Sequence, residues 1–375
     1  MIYLDSAATS LMKPPEVGNA MHRALSQCAS PGRGSHASAL RAAETVYACR
    51  EEAARLFHAD DVSDVVLTMN ATHALNLAIA SVVSPGDRVV TSGYEHNAVT
   101  RPLNAVHAET VAGSVKLFDR DSVLRHFARE LPTADAAVCT QVSNVFGWIL
   151  PVGEIAELCR KYGVPLILDA SQSAGVLDID FSALKCAFIA MPGHKGLLGP
   201  QGTGLLLCGH PTKPLLFGGT GGMSRDQTMP EELPERLEAG TQNVCGAAGL
   251  TEGLRYVRRM TPAALKRKED RLLTRLTELL LSCDGLEVFH SVSDEQCSVV
   301  SVRPKHMSCE LLAESLAKLG VAVRAGLHCA PQAHCSAGTL DTGTVRFSVS
   351  PFNTVREIET VAMLTKKILK NSYKM

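Results

Sequence analysis

Three residues with complementary chemistry each follow a short apolar run: Asp169, Lys195 and Thr72. A carboxylate can keep a pyridine nitrogen protonated, a lysine can form a Schiff base, and a hydroxyl at a helix N-terminus suits a phosphate. In open α/β sheets such groups meet where parallel strands end. Their joint placement indicates a site for a phosphorylated pyridine cofactor, although each residue alone also fits a turn, a solvated lysine or a plain helix start.

The elements that must position these residues alternate regularly between residues 64 and 208. Short apolar runs predict strands, and the segments between them have the spacing of helices. Continuous apolar strands separated by helices are typical of a mostly parallel sheet that is covered on both faces, so we expect an α/β domain. The predicted strands are 65–69, 88–91, 136–140, 165–169 and 187–191, and the predicted helices are 71–83, 96–107 and 154–162.

The C-terminal third has a different pattern, in which fewer strands lie between longer helices. This order predicts a smaller α+β domain packed on the first. We place the large domain at 14–250 and the small domain at 1–13 together with 251–375, and we expect the glycine-rich stretch 218–222 to be a mobile loop. Predicted helices here are 262–283, 309–319 and 355–369, and predicted strands are 297–302 and 344–349.

Charge and hydropathy narrow the function classes. The 375 residues include 37 basic and 38 acidic side chains, which gives no electrostatic argument for binding nucleic acid or an anionic membrane. The N-terminus lacks the pattern of a signal peptide, and no apolar run approaches the roughly 20 residues of a membrane span. We therefore expect a soluble, cytoplasmic protein that has neither a nucleic-acid nor a membrane partner.

The twelve cysteines are scattered, and no two have the CxxC spacing. Disulfide frameworks belong mainly to small secreted chains, so we expect reduced thiols. Most of them should be buried as small hydrophobic side chains.

Several ordered segments resemble one family of enzymes. They are 168–173, 193–195 and 199–204, with further matches at 3–8, 143–147, 238–243 and 352–354. Together they resemble the class V aminotransferase-like enzymes that use pyridoxal 5'-phosphate (PLP), and most of all the branch of cysteine desulfurases and selenocysteine lyases. The resemblance implies the fold type I of PLP-dependent transferases, with a mostly parallel seven-stranded sheet in the large domain and a smaller α+β C-terminal domain.

The resemblance assigns roles around the cofactor ring. It implies that Lys195 forms the Schiff base and that Asp169 pairs with the pyridine nitrogen. Gln172 would hydrogen-bond the phenolic oxygen. His96 would stack on the ring and move protons.

Further positions are implied to hold the phosphate. Thr72 and His194 would contact it directly, and Thr241 would reach the phosphate of a partner subunit in a homodimer whose sites are shared. Two positions depart from the family pattern. Ala71 stands where relatives have a hydroxyl residue, so its contact would come from the backbone, and Pro192 replaces a common serine.

The resemblance also implies residues that bind the substrate or lie near it, two of them with a stated role and three as further candidates. Asn144 and Arg346 would bind the substrate carboxylate, since the planar guanidinium can pair with two oxygens. Arg324 is placed with them. Arg33 and His36 match a family segment near the entrance of the site, although a polar turn before a helix at residue 37 explains them equally well.

The segment 323–331 resembles the cysteine-bearing loop of the desulfurases. Its closeness in sequence to Arg346 fits the branch with a short, ordered loop, known as group II. His328 and Arg324 beside Cys329 favour a partly exposed thiol and its nucleophilic thiolate. The implied function is conversion of L-cysteine to L-alanine, with a persulfide on Cys329 that is passed to an acceptor protein.

Alternatives remain at this stage. The chain could be a selenocysteine lyase that acts on L-selenocysteine, or another class V enzyme such as a transaminase or epimerase in which Cys329 is not essential. A weak sulfur carrier that no longer binds PLP well is a third option. The pairs His328–Cys329 and His334–Cys335 suggest zinc, but adjacent ligands are hard to aim at one tetrahedral centre, so we expect no metal. Cys335 could resolve a persulfide, form a disulfide with Cys329, or be incidental.

Overall fold

The computed structural model describes residues 1–32, 34–222, 225–291 and 295–372. Its strands are β1 (Ile2–Tyr3), β2 (Val65–Thr68), β3 (Arg88–Thr91), β4 (Glu109–Ala112), β5 (Ala136–Thr140), β6 (Leu166–Asp169), β7 (Phe188–Pro192), β8 (Gly204–Cys208), β9 (Leu286–Phe289), β10 (Val299–Pro304), β11 (Val321–Ala322), β12 (Arg324–Gly326) and β13 (Thr344–Ser348). Its helices are α1 (Pro15–Gln27), α2 (Ala37–Phe57), α3 (Ala71–Val82), α4 (Asn97–Ala105), α5 (Arg120–Glu130), α6 (Val152–Tyr162), α7 (Phe181–Leu184), α8 (Val244–Met260), α9 (Pro262–Leu281), α10 (Cys309–Lys318), α11 (Pro331–Ala337) and α12 (Val355–Ser372).

A seven-stranded sheet forms the centre of the large domain, with the strand order β2-β8-β7-β6-β5-β3-β4. Its pairs are parallel except those of β8, which runs antiparallel to both neighbours. The predicted mostly parallel sheet is therefore confirmed. Two strands were not predicted individually: β4 is largely exposed, so it has no apolar pattern, and β8 directly follows a glycine-rich stretch.

The strands are apolar throughout because both faces of the sheet are covered. In β6, Leu166 and Leu168 join the hydrophobic cluster that also contains Val46 of α2 and Ile155 of α6. Ile167, between them, joins the opposite cluster with residues of α3 and α4. Successive side chains of a strand point to opposite faces, so a strand buried on both sides loses the alternating pattern and keeps a continuous apolar run.

The small domain is built on a four-stranded antiparallel sheet with the order β12-β13-β10-β9. Its hydrophobic cluster joins Leu272 of α9, Leu312 of α10 and Ile358 of α12 to strands β10 and β13. The N-terminus belongs with this layer, because β1 pairs with β11 and Leu4 is part of the same cluster. Helix α8 runs through residue 250 without interruption, so the domain boundary there stays a prediction.

The thiols follow the expectation from sequence. All twelve cysteines are free, eight of them are buried, and only Cys329 and Cys335 are exposed. Among the described residues, no helix has both the length and the apolar character needed to cross a membrane.

Candidate active site

The edge of the sheet where β6 and β7 end carries the predicted acid and amine. Asp169 is the last residue of β6 and is 2% exposed, and its Oδ1 accepts a hydrogen bond from the Ser171 amide at 2.9 Å. Lys195 follows the end of β7 by three residues, and the two strands are parallel neighbours. The structure thus brings both residues to one edge, as the order of the apolar runs predicts.

Two glycines allow the segments after these strands to touch. A Cβ atom built on Gly196 would lie 2.3 Å from the Ala174 carbonyl oxygen, and one built on Gly175 would lie 2.3 Å from the Gly196 carbonyl oxygen. Gly175 also has a φ of +83°, which L-residues with a side chain rarely adopt. The backbone after Lys195 is therefore held directly against the backbone that follows Asp169.

The amine of Lys195 is tuned toward its neutral form. Burial lowers the pKa of Lys195 to about 8, and the positive charges of Arg346 and Arg324 act in the same direction. The carboxylate of Asp169 opposes them without cancelling the effect of burial. A lysine with this pKa has a substantial unprotonated fraction near neutral pH, which suits a nucleophile or a general base.

His96 lies in the turn between β3 and α4, which a buried acid holds in place. Glu95 is fully buried, and its carboxylate accepts hydrogen bonds from the amides of Ser92 at 3.0 Å, Gly93 at 2.7 Å and Thr140 at 3.4 Å. These contacts fix the turn to strand β5. Glu95 was not among the predicted site residues, although an acidic residue directly before a candidate catalytic histidine was a usable signal.

His96 itself begins helix α4. Its Nδ1 accepts a hydrogen bond from the Ala98 amide at 3.0 Å, which requires that this nitrogen carry no proton. Burial lowers the pKa of His96, while Asp169 acts against the shift and Lys195 and Arg346 add to it. The ring is therefore neutral with its proton on Nε2, and it shares one electrostatic environment with those three residues.

The start of helix α3 is the predicted phosphate site. Asn70 caps the helix, with its Oδ1 accepting from the His73 amide at 2.9 Å. Ala71 is buried and Thr72 is exposed in the first turn. Met69 and His73 line a cavity that is also lined by Thr241 of the same chain, and the buried Nε2 of His73 has no hydrogen-bond partner among the described residues. A polar group in this cavity would find an unused hydrogen-bonding atom.

A buried ion pair that the sequence analysis missed fixes the segment leading to Thr241. Arg50 and Glu238 form two hydrogen bonds of 2.5 and 2.6 Å, and Glu238 also accepts from the Leu67 amide at 2.7 Å. Arg50 in turn donates to the Val65 carbonyl oxygen at 2.8 Å. The pair therefore ties this segment to strand β2, next to the start of α3.

The N-terminal segment contacts the segments that carry Gln172 and His194. Gln172 donates to the Ala7 carbonyl oxygen at 3.0 Å, and the His194 Nδ1 lies 3.0 Å from the Thr9 hydroxyl. Burial, reinforced by the charge of Lys195, lowers the pKa of His194 to about 4. His194 is thus neutral at physiological pH, so a phosphate could gain a hydrogen bond from it but no full charge.

The cysteine-bearing loop is short, with four residues between β12 and α11. His328 and Cys329 have φ angles of 49° and 58°, a left-handed conformation that is uncommon for residues with a side chain. Two hydrogen bonds to backbone carbonyl oxygens hold this loop. The Cys329 carbonyl accepts from the Asn97 amide at 2.7 Å, and the His328 carbonyl accepts from the Asn144 side chain at 2.8 Å. The Cys329 thiol is exposed, as predicted, on a loop fixed to the start of helix α4.

Arg346 and Arg324 lie directly opposite each other on β13 and β12. Arg346 is 2% exposed and donates to Asp5 Oδ1 at 2.8 Å and to the Asn144 carbonyl oxygen at 3.0 Å. In the part of the chain that the structure describes, its Nε has no hydrogen-bond partner. Two like charges on paired strands repel each other unless an anion lies between them. Asp5, which the sequence analysis did not single out, partly meets this need, and a substrate carboxylate would complete it.

Other candidates have different surroundings. Arg33 lies outside the described residues. His36 is exposed and caps helix α2, with its Nδ1 accepting from the Ala39 amide at 3.3 Å. That is the structural alternative foreseen from sequence, and a role at the entrance of the site stays a prediction. In the described parts of the chain, no three His, Cys, Asp or Glu residues form a group that could hold a metal ion.

Comparison with known proteins agrees with this geometry. Residues 2–361 match the aminotransferase class-V family. The chain belongs to this family. A member of this family is expected to share the family's fold, and the solved structures that are similar to this chain agree with that expectation.

Two solved structures are similar over nearly the whole chain. One is an apo cysteine desulfurase from Thermococcus onnurineus, with 29% identity, a TM-score of 0.91 and coverage of 99% of this chain and 95% of that chain. The other is the S-sulfonic acid form of the cysteine desulfurase CsdA from Escherichia coli, with 28% identity, a TM-score of 0.86 and coverage of 98% and 94%.

Similar sequences are named as cysteine desulfurases or probable cysteine desulfurases. A cysteine desulfurase from Synechococcus elongatus is 31% identical over 98% of this chain, which spans 60% of the length of that relative. A probable cysteine desulfurase from Methanothermobacter thermautotrophicus is 30% identical, with 98% of this chain and 94% of the relative covered. One from Xylella fastidiosa is 33% identical, with 99% and 91% covered.

The donor set fits PLP, the cofactor on which class-V aminotransferases depend. A buried carboxylate at Asp169 suits a protonated ring nitrogen, and a lysine with a lowered pKa at Lys195 suits covalent attachment. The first turn of α3 and the unused His73 Nε2 suit a phosphate. The residues present therefore fit the ring nitrogen, the aldehyde carbon and the phosphate of this cofactor.

Proposed function

We propose that this chain is a PLP-dependent cysteine desulfurase, which converts L-cysteine to L-alanine and keeps the sulfur as a persulfide on Cys329. The observation that carries the proposal is the hydrogen bond between Cys329 and Asn97. It ties the backbone of an exposed cysteine to the residue after His96, whose ring shares one electrostatic environment with Lys195 and Asp169. The names of the similar proteins support this reaction rather than transamination or epimerisation.

The residues around the cofactor would divide the work. Lys195 would attach it covalently, Asp169 would pair with the ring nitrogen, Gln172 would face the phenolic oxygen and His96 would stack on the ring. Its phosphate would contact Ala71, Thr72 and His194, and Thr241 of a second copy in a homodimer. When bound, PLP supplies an electron sink that allows the Cα–H and Cβ–S bonds of an amino acid to break.

The substrate carboxylate would bind between Arg346, Arg324 and Asn144. Both Nη groups of Arg346 are already engaged, by Asp5 and by the Asn144 carbonyl, but its Nε is buried without a partner. A carboxylate that displaced Asp5 would gain this donor together with an Nη group, which is the paired geometry that arginine favours. L-Selenocysteine presents the same carboxylate and amine, so it would use the same contacts.

Proton transfer falls to Lys195 and His96. With a pKa of about 8, the Lys195 amine can accept the Cα proton of the substrate near neutral pH. The neutral His96 ring, with its Nδ1 occupied by the helix cap, can donate or accept a proton only through Nε2. These two groups give the site one base and one proton donor.

Sulfur transfer requires the Cys329 thiolate to attack the substrate sulfur. A bond forms between the two sulfurs while the Cβ–S bond breaks, and its electron pair stays with the carbon. The carbon takes up a proton and leaves as alanine, and the outer sulfur remains on Cys329. An acceptor protein would then remove this sulfur at the exposed loop. The twelve free thiols favour the reducing cytoplasm as the location.

Borohydride trapping tests the proposal. Reduction of PLP-loaded protein should attach the cofactor to Lys195, and peptide mass spectrometry should locate it there. Lys195→Ala should lack the adduct and form no alanine from L-cysteine, whereas the exposed-lysine control Lys161→Ala should behave as the wild type. An adduct at another lysine, or alanine formation by Lys195→Ala, would overturn the proposed role.

A further inference from the structure

The loop and the helix after it carry two exposed thiols. Of the twelve cysteines, all within the described residues, only Cys329 and Cys335 are exposed. Cys335 lies on helix α11, which begins two residues after Cys329. The proposed reaction uses Cys329 and leaves the second thiol without a function.

Two buried histidines link the chain segments that carry the two cysteines. The rings of His328 and His334, each directly before one of the cysteines, have centroids 6.0 Å apart and planes inclined by 31°. Both histidines are buried, at 5% and 0% exposure, while the cysteine after each is exposed. Each exposed cysteine therefore directly follows one of two buried histidines whose rings lie close to each other.

Cys335 lies about one turn from the N-terminus of helix α11. The Cα–Cβ bond of a helical residue tilts toward the helix N-terminus, which is the end of α11 that joins Cys329. The helix is held at both ends: Ala330 donates to the Leu327 carbonyl oxygen at 3.0 Å, and Thr339 donates to that of His334 at 2.9 Å. A persulfide on Cys329 would add a sulfur–sulfur bond of about 2 Å to its reach.

We propose that Cys335 is a second sulfur-carrying residue, which accepts the outer sulfur of the Cys329 persulfide. This inference rests on the proposed desulfurase function. The Cys335 thiolate attacks the outer sulfur, a new sulfur–sulfur bond forms on Cys335, and the electron pair of the old bond returns to Cys329 as a thiolate. The exchange needs no oxidant or reductant, because one persulfide and one thiolate are consumed and one of each is produced.

The transfer frees Cys329 to react with another substrate molecule while the first sulfur remains on Cys335. In the absence of a reductant and an acceptor, the PLP-loaded wild type should therefore form a burst of about two alanines per chain, one for each cysteine that can be filled. Cys335→Ser should halve the burst to about one, and Cys329→Ser should abolish it, since Cys335 receives sulfur only through Cys329. Cys28→Ser, which removes a thiol from the end of α1, is the matched control and should keep the full burst.

Tandem mass spectrometry after alkylation locates the sulfur, because cleavage at Arg324 and Arg346 leaves both cysteines in one peptide. The proposal requires persulfide on both in the wild type and on Cys329 alone in Cys335→Ser. Equal bursts of about one in these two proteins would overturn it and leave the desulfurase function intact. A Cys329–Cys335 disulfide with released sulfide, or two sulfurs on Cys329 alone, would also overturn it. No burst in any protein would instead contradict the proposed function itself.

Discussion

The backbone amide of Asn97 donates a hydrogen bond to the carbonyl oxygen of Cys329 at 2.7 Å. Asn97 is the first residue of helix α4, whose first amides have no acceptor within the helix. The cysteine-bearing loop supplies that acceptor. Because His96 directly precedes Asn97, the same bond fixes the backbone of Cys329 relative to that of His96.

Replacement of Asn97 by proline tests this bond without breaking the helix. Proline is well tolerated at the first helical position, and His96, with φ −71° and ψ 155°, already has the extended conformation that a following proline requires. We expect the rate of alanine formation from L-cysteine to fall by about tenfold. The reason is that the loop loses one hydrogen bond and is displaced. Asn97→Ala keeps the amide and is the control; equal rates in the two variants would show that the bond does not position Cys329.

Gly196→Ala should weaken cofactor binding. Its Cβ would lie 2.3 Å from the Ala174 carbonyl oxygen, so the segment after Lys195 must move away from the segment after Asp169. We expect a fall of at least about tenfold in PLP affinity, measured by absorbance titration, which corresponds to about 1.4 kcal/mol of binding free energy. Gly18→Ala in helix α1, where nothing lies within 4 Å, is the control and should bind PLP normally. Unchanged affinity in Gly196→Ala would contradict the close approach.

The buried histidines should make the fold sensitive to acid. Burial lowers the pKa of His328 to about 2 and that of His334 to about 4. The unfolded chain binds protons at these positions below about pH 6.5, whereas the folded chain does not, so the free energy of unfolding falls as the pH drops below that value. Each histidine should lower the free energy of unfolding by about 2 kcal/mol at pH 5.

Comparison of variants isolates this effect from other titrating groups. Burial raises the pKa of Glu269 to about 7, which acts in the opposite direction over part of the same range. His334→Asn, whose amide can replace the hydrogen bond between Nδ1 and the Thr339 hydroxyl, should lose less stability than the wild type between pH 6.5 and 5. Denaturant unfolding measures it, and an identical pH dependence in the two proteins would rule out a neutral His334.

Local patterns in the sequence are enough to place the main chemical groups. Asp169 and Lys195 follow apolar runs, and strands with such runs become parallel neighbours, so their meeting at one edge was predictable. The partners that hold the site are not local. Asp5 meets Arg346, and Glu238 meets Arg50, across long stretches of chain, and no periodicity encodes such contacts. The antiparallel direction of β8 is likewise set by sheet pairing and not by its own apolar run.

The proposed sulfur transfer depends most directly on the thiol of Cys329. The decisive measurement is alanine formation from L-cysteine by PLP-loaded wild type and Cys329→Ala, with Cys28→Ala as the control for loss of a thiol. We predict that wild type and control form alanine and a persulfide, and that Cys329→Ala forms neither while it keeps the absorbance of bound PLP. Alanine formation by Cys329→Ala at the wild-type rate would contradict the central claim that this residue takes the sulfur.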